Sequence, residues 1–144
     1  MSLRTLVLAP LAVLALAASA CSSGSDGGTE PAGDAIAATL QDSSIELAAP
    51  SAPAGNVSFD IRNDGSTVHE FEVLRTDAPA DELPVDSGVV QTSADGIEIV
   101  DEIEEIAPGT NAELSVDVEA GPYVIICNVA GHYESGMSAS FTVT

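Results

Sequence analysis

Along most of the chain, apolar and polar residues alternate in short runs separated by turn-forming residues, the period-two signature of half-buried β-strands. The clearest run is Val57-Ser58-Phe59-Asp60-Ile61-Arg62, in which Val57, Phe59 and Ile61 share one face, and Asn63-Asp64-Gly65-Ser66 is the turn that ends it. In residues 68–73, His69, Phe71 and Val73 fall on the inward face, so Glu70 and Glu72 are expected in water. Residues 112–119 alternate throughout, with Pro108-Gly109 and Gly121-Pro122 marking their two ends. Residues 123–127 are apolar at both parities, the pattern of a central strand covered on both sides, and residues 139–143 alternate again. Residues 36–47 have room for one or two short strands and residues 97–100 for another. Residues 76–96 show no period and are expected to form a long loop with limited structure. No stretch of ten residues carries a convincing helical period, so the chain reads as all-β, a sandwich or a barrel.

Residues 1–20 have a different pattern. A single cation, Arg4, precedes an apolar stretch from Leu6 to Ala18 that Pro10 interrupts, and small residues follow at Ala18, Ser19 and Ala20. That is a secretory signal pattern. The apolar run is shorter than the roughly 20 residues of a membrane-spanning helix, and no later segment approaches that length. Cys21 follows at once, and Leu16-Ala17-Ala18-Ser19-Ala20-Cys21 resembles the lipobox of bacterial lipoproteins. The resemblance implies a diacylglycerol on Cys21, which becomes the mature N-terminus of an exported protein held on the outer face of the cytoplasmic membrane, with the membrane touched through this lipid only. Ordinary signal cleavage that leaves Cys21 a free thiol is the alternative. Residues 21–35, rich in Gly, Ser and Asp, read as a flexible tether with a reach of roughly 20 Å. The folded domain is then residues 36–144.

Composition narrows the function. At 144 residues and 14.5 kDa the chain holds one ordinary domain. Its 23 acidic side chains stand against 3 cationic ones, a formal charge of −20, which excludes a role in gripping nucleic-acid phosphate. Charged partners should be basic. The acids at Asp77, Asp81, Glu82 and Asp86, and at Asp101, Glu102, Glu104 and Glu105, are numerous enough to steer such partners at low salt, or they serve only to keep an exported protein soluble. The chain has 2 His, 2 Cys and 2 Met, too few for several metal centres or a zinc cluster in one copy.

Within Cys127-Asn128-Val129-Ala130-Gly131-His132-Tyr133-Glu134-Ser135-Gly136-Met137, a thiol, an imidazole and a thioether share one loop between the last two strands. Soft sulfur with imidazole selects copper, and one Cys with two His and a weak axial Met is the blue-copper electron-transfer site. The only other histidine is His69, which strand parity places inward. Zinc suits the set poorly, because its structural sites prefer several thiolates or more histidines. Each residue taken singly could also be ordinary core, and the further alternative of a Cys21–Cys127 disulfide would tie the tether to a strand end and is excluded by lipidation of Cys21.

Residues 36–144 resemble the cupredoxin (blue copper) family through Val68-His69-Glu70-Phe71 and the C-terminal loop. The Cys-x4-His-x4-Met spacing is similar to that of its sulfocyanin, rusticyanin and auracyanin branch, and Asn63-Asp64-Gly65 resembles the Asn-containing turn before the first ligand in these proteins. The resemblance implies a Greek-key β-sandwich and one type 1 copper per chain, held by His69, Cys127, His132 and Met137. In it the Cys127 thiolate gives the strong bond, the two imidazoles complete a plane, and Met137 tunes the potential. With no Trp for a relay, electrons are expected to enter at the exposed edge of His132, inside a small rim of Ala130, Gly131, Tyr133 and Gly136. Tyr133 could equally be a packing residue. The function implied is a monomeric electron carrier that is not an enzyme. Its expected partners are redox proteins, basic cytochromes or a membrane oxidase among them. Copper storage or delivery by the same ligands is the alternative, and a metal-free adhesion or sensor domain, with His69 far from Cys127, is the third.

Overall fold

The computed structural model describes residues 34–144; the signal sequence, Cys21 and the tether up to residue 33 lie outside the described residues. The alternating runs become strands β1 (Ile36–Gln41), β2 (Ser44–Leu47), β3 (Ser51–Ala52), β4 (Gly55–Asn63), β5 (His69–Arg75), β6 (Val85–Asp86), β7 (Val89–Val90), β8 (Glu98–Ile106), β9 (Asn111–Val118), β10 (Gly121–Ile126) and β11 (Ser138–Val143). No helix occurs among the described residues. One sheet has the order β2-β1-β4-β9 and the other β3-β11-β10-β5-β8. β1 runs parallel to β4 and β3 parallel to β11, while the other pairs are antiparallel. The chain changes sheet between β2 and β3, β3 and β4, β4 and β5, β8 and β9, and β9 and β10, which makes a Greek-key sandwich.

Alternation explains the core. Val57, Phe59 and Ile61 of β4 and Leu114, Val116 and Val118 of β9 face Phe71, Val73, Ile125 and Phe141 of the other sheet, all buried. Phe59 lies at the centre, its ring centroid 5.3 Å from that of Phe71 and 5.5 Å from that of Phe141, both in tilted or edge-on contact. β10 is central in its sheet, as its two-sided apolar pattern requires.

Two expectations need correction and a third gains detail. Residues 76–96 form the expected long loop of limited structure, with two strands of two residues each, but that loop is packed against the sandwich. These residues fold back over the outer face of the five-stranded sheet, carry the β6–β7 hairpin, and insert Leu83 and Val90 into a second cluster with Leu74, Val124, Ile126 and Tyr133. These apolar positions are too widely spaced to show a period, yet they match the apolar outer face of β10. We refer to this segment as the flap. Glu72 does not point into water: it is 7% exposed, on the same covered face, paired in register with Ile126 on one side and Glu102 on the other. The strand before Pro108-Gly109 is also longer than residues 97–100, because β8 continues to Ile106 as a mostly exposed edge carrying acids.

Candidate metal centre

His69 is the first residue of β5, and Cys127 directly follows β10, its neighbour in the sheet. Strand register therefore places the two at the same end of the sandwich. His132 and Met137 lie on the connection from β10 to β11. That connection is a tight loop: His132 N donates to Val129 O at 2.9 Å, Met137 N to His132 O at 3.2 Å, and Cys127 N to Met137 O at 3.2 Å. Gly136 has a φ of 115°, and a side chain there would meet the carbonyl oxygen of Ser43 at 2.8 Å, so the turn that returns Met137 beneath Cys127 requires glycine.

The three strongest candidate donors converge. Cys127 Sγ lies 3.4 Å from His132 Nδ1 and 3.8 Å from His69 Nδ1, and the two Nδ1 atoms are 3.1 Å apart. A point equidistant from all three lies about 2 Å from each, the length of a metal–imidazole bond. His69, Cys127 and Met137 are fully buried, and His132 is half-buried. Met137 packs in the same cluster as Cys127. A thiol sulfur and two imidazole nitrogens, joined by a sequestered thioether residue, fit a copper ion better than zinc or a hard cation.

Electrostatics argue against a free nucleophilic thiol. Burial pushes the Cys127 thiol above its ordinary pKa, against the pull of the Glu70 N–H, which donates to Sγ at 3.3 Å. Burial, and then the neighbouring His132, lower the pKa of His69, which favours the neutral imidazole a metal needs. Glu72 is pushed up to about 7, chiefly by burial and then by Glu102 and Glu70, with Asn128 beside it pulling the other way. Its Oε2 is buried without a hydrogen-bond partner.

The loop is braced from outside by the flap. Val90 N donates to Asn128 Oδ1 at 2.7 Å and Asn128 Nδ2 to Val90 O at 3.3 Å; Gly131 N donates to Gly88 O at 2.8 Å, and Leu83 N to Tyr133 Oη at 2.9 Å. These anchors lie next to Cys127 and on both sides of His132 along the chain. Tyr133 is thus a buried packing residue and does not belong to the rim around His132, which leaves Ala130, Gly131 and Gly136 exposed. Sequence reasoning missed Asn128 and, on the other side of the centre, Asp42. Neither belongs to a spacing motif; only the folded chain brings them to the candidate ligand residues.

The sulfocyanin (SoxE) domain family matches residues 42–144. The chain belongs to the sulfocyanin family. Among solved structures, this sulfocyanin domain is similar to auracyanin from the photosynthetic bacterium Roseiflexus castenholzii, at 18% identity and a TM-score of 0.58 over 78% of this chain and 98% of that one. It is similar to rusticyanin from Thiobacillus ferrooxidans at 18% identity and a TM-score of 0.57, covering 76% and 75% of the two chains. An azurin from Methylomonas sp. strain J shares 14% identity at a TM-score of 0.53, with 75% and 95% covered. At these identities the likeness concerns the fold, and the cupredoxin sandwich expected from the sequence is the one found. No curated protein sequence matches the chain.

Proposed function

We propose that this sulfocyanin domain carries single electrons between redox proteins through one type 1 copper held by His69, Cys127, His132 and Met137. The observation that carries the proposal is the donor triangle of Sγ and two Nδ1 atoms, closed on the β5 side and reaching the surface only through half-buried His132. Bound there, copper supplies a one-electron change between Cu(II) and Cu(I). The chain's own residues do the rest. The Glu70 N–H moderates the charge of the Cys127 sulfur, and burial of His69, Cys127 and Met137 keeps water from the metal. The strands and the flap hold the donors in one arrangement, which keeps reorganisation small. The half-exposed ring of His132, among Ala130, Gly131 and Gly136, is the port for electrons. Retention rather than delivery of copper fits the complete burial of Cys127.

In this proposal the domain is exported and anchored by a lipid on Cys21, and it meets basic partners, drawn by the exposed acids of the flap and of β8. That steering is tested by ionic strength: the bimolecular rate with a basic cytochrome should fall as salt rises, and a flat profile would leave the acids as solubilising groups.

The metal is tested first by the visible spectrum of the exported domain, made without Cys21 and titrated with Cu(II). The expected result is an intense thiolate-to-copper band at one copper per chain, bleached by ascorbate and restored by oxidant, and absent in Cys127→Ser. No band in the parent protein, or a blue Cys127→Ser variant, overturns the proposal. Copper taken at once by a weak chelator would point instead to delivery.

A further inference from the structure

A metal bound at Nδ1 of His69 would leave the proton of the neutral ring on Nε2, an atom that is fully buried with no hydrogen-bond partner. The nearest acidic group is the carboxylate of Asp42, whose Oδ1 lies 3.4 Å from His69 Nε2. Asp42 sits in the tight turn between β1 and β2, in the other sheet from β5. It is held there by the segment that precedes His69. Ser66 N donates to Oδ1 at 2.8 Å and Ser66 Oγ to Oδ2 at 2.6 Å, with longer contacts from Thr67 N at 3.4 Å and Thr67 Oγ1 at 3.3 Å. These bonds, those of Ser66 first, pull the carboxyl pKa down to about 2.

Gly65 shows that this approach has a specific requirement. A Cβ at position 65 would stand 2.5 Å from Asp42 Oδ1 and 2.5 Å from His69 Nε2. Any side chain would therefore wedge the two groups apart. The Gly65 backbone is fixed in this gap by its N–H, which donates to buried Asn63 Oδ1 at 2.9 Å. Asn63 Nδ2 in turn donates to Thr67 O at 2.8 Å and Ile106 O at 2.7 Å. Two side chains and one missing side chain are thus arranged around a single imidazole nitrogen.

We propose that Asp42 is a positioning residue for His69, its carboxylate accepting the Nε2–H so that Nδ1 is committed to the metal and becomes a stronger donor to the oxidised ion. This rests on the copper proposal above. A carboxylate behind a ligating imidazole raises the basicity of the ring and favours the higher charge on the metal. No proton leaves the pair: the hydrogen stays on Nε2 and the negative charge stays on Asp42.

The test compares Asp42→Asn with Ser66→Ala in the exported domain. Asp42→Asn keeps an oxygen able to accept from Nε2–H and Ser66 N but removes the charge. Ser66→Ala loosens the same loop and leaves the charge in place. Asp42→Asn is expected to keep the visible band and to bind Cu(II) about tenfold more weakly with Cu(I) affinity little changed, which raises the midpoint potential by about 59 mV. Ser66→Ala should shift the potential far less. An unchanged potential in Asp42→Asn, or an equal shift in Ser66→Ala, overturns the proposal. Nitrogen-15 NMR of the metal-free domain supplies a reading that needs no copper: His69 should carry its proton on Nε2, and an Nδ1–H tautomer overturns the assignment. Absence of the band in the parent protein would instead count against the copper centre.

Discussion

His69 and His132 reach one centre from opposite kinds of structure. His69 opens a strand, is completely buried, and has its far nitrogen beside a carboxylate from the other sheet. His132 sits half-buried on a loop whose position depends on the flap lying over it. On the strand side the ligand is fixed by ladder register, so it moves only if the sheet moves. On the loop side a few hydrogen bonds and a small apolar cluster do the holding. Under the proposed function the difference separates two tasks: one imidazole would seal and tune the centre, and the other would connect it to solvent and to partners.

The largest effects should come from removing each ring in turn. His132→Gly and His69→Gly should both abolish the visible band. Free imidazole is expected to restore it in His132→Gly, where the hole opens to solvent, and not in His69→Gly, where the hole is enclosed. Rescue of both variants would erase the distinction between the two sides.

A smaller effect is expected from the asparagines that brace the two sides. Asn63→Ala removes a completely buried amide that bonds Thr67 O, Ile106 O and Gly65 N, and should cost about 1–3 kcal/mol for each partner left unpaired. Asn128→Ala breaks both bonds to Val90 at a half-buried site, so it should cost about 1–2 kcal/mol in all, with faster loss of copper to a chelator. Urea unfolding of the metal-free domain measures both. Equal costs would mean that the flap holds the loop as firmly as the strands hold His69.

Glu72, under the flap, gives the smallest effect and a pH signature. Its carboxyl keeps its proton in the folded state up to about 7, whereas in the unfolded chain it ionises near the ordinary value of 4.5. The folded state therefore binds more protons between those values, and stability declines as pH rises through that window. Glu72→Gln removes the penalty. It should match the parent protein near pH 4 and exceed it at pH 8 on the order of 1 kcal/mol, allowing for solvent screening of Glu102 and Glu70. A pH-independent difference between the two proteins would show that Glu72 remains ionised beneath the flap.

Much of the sandwich was legible because period-two alternation encodes one buried face directly, as in β4 and β9, and because β10, apolar at both parities, had to be central. The inward parity of His69 and the spacing of Cys127, His132 and Met137 identified the candidate ligands before any coordinates did. The packing of the flap was not legible, since Leu83 and Val90 are apolar without a period and acquire meaning only against Leu74, Val124 and Ile126. Glu72 was misjudged for the same reason: parity placed it correctly on the outer face, but parity says nothing about whether a distant segment covers that face.

By itself the sequence determined which residues alternate, where the turns fall, and that a thiol, two imidazoles and a thioether are the chain's scarce chemistry. Only the tertiary structure decided that Asp42 stands behind His69 across a gap kept open by Gly65, and that Asn128 and Tyr133 tie the ligand loop to the flap. The physical reason is range. Strand parity and metal-ligand spacing are set by neighbours along the chain, whereas the cover of a face and the partner of a buried nitrogen are set by segments that meet only after the sheets have packed.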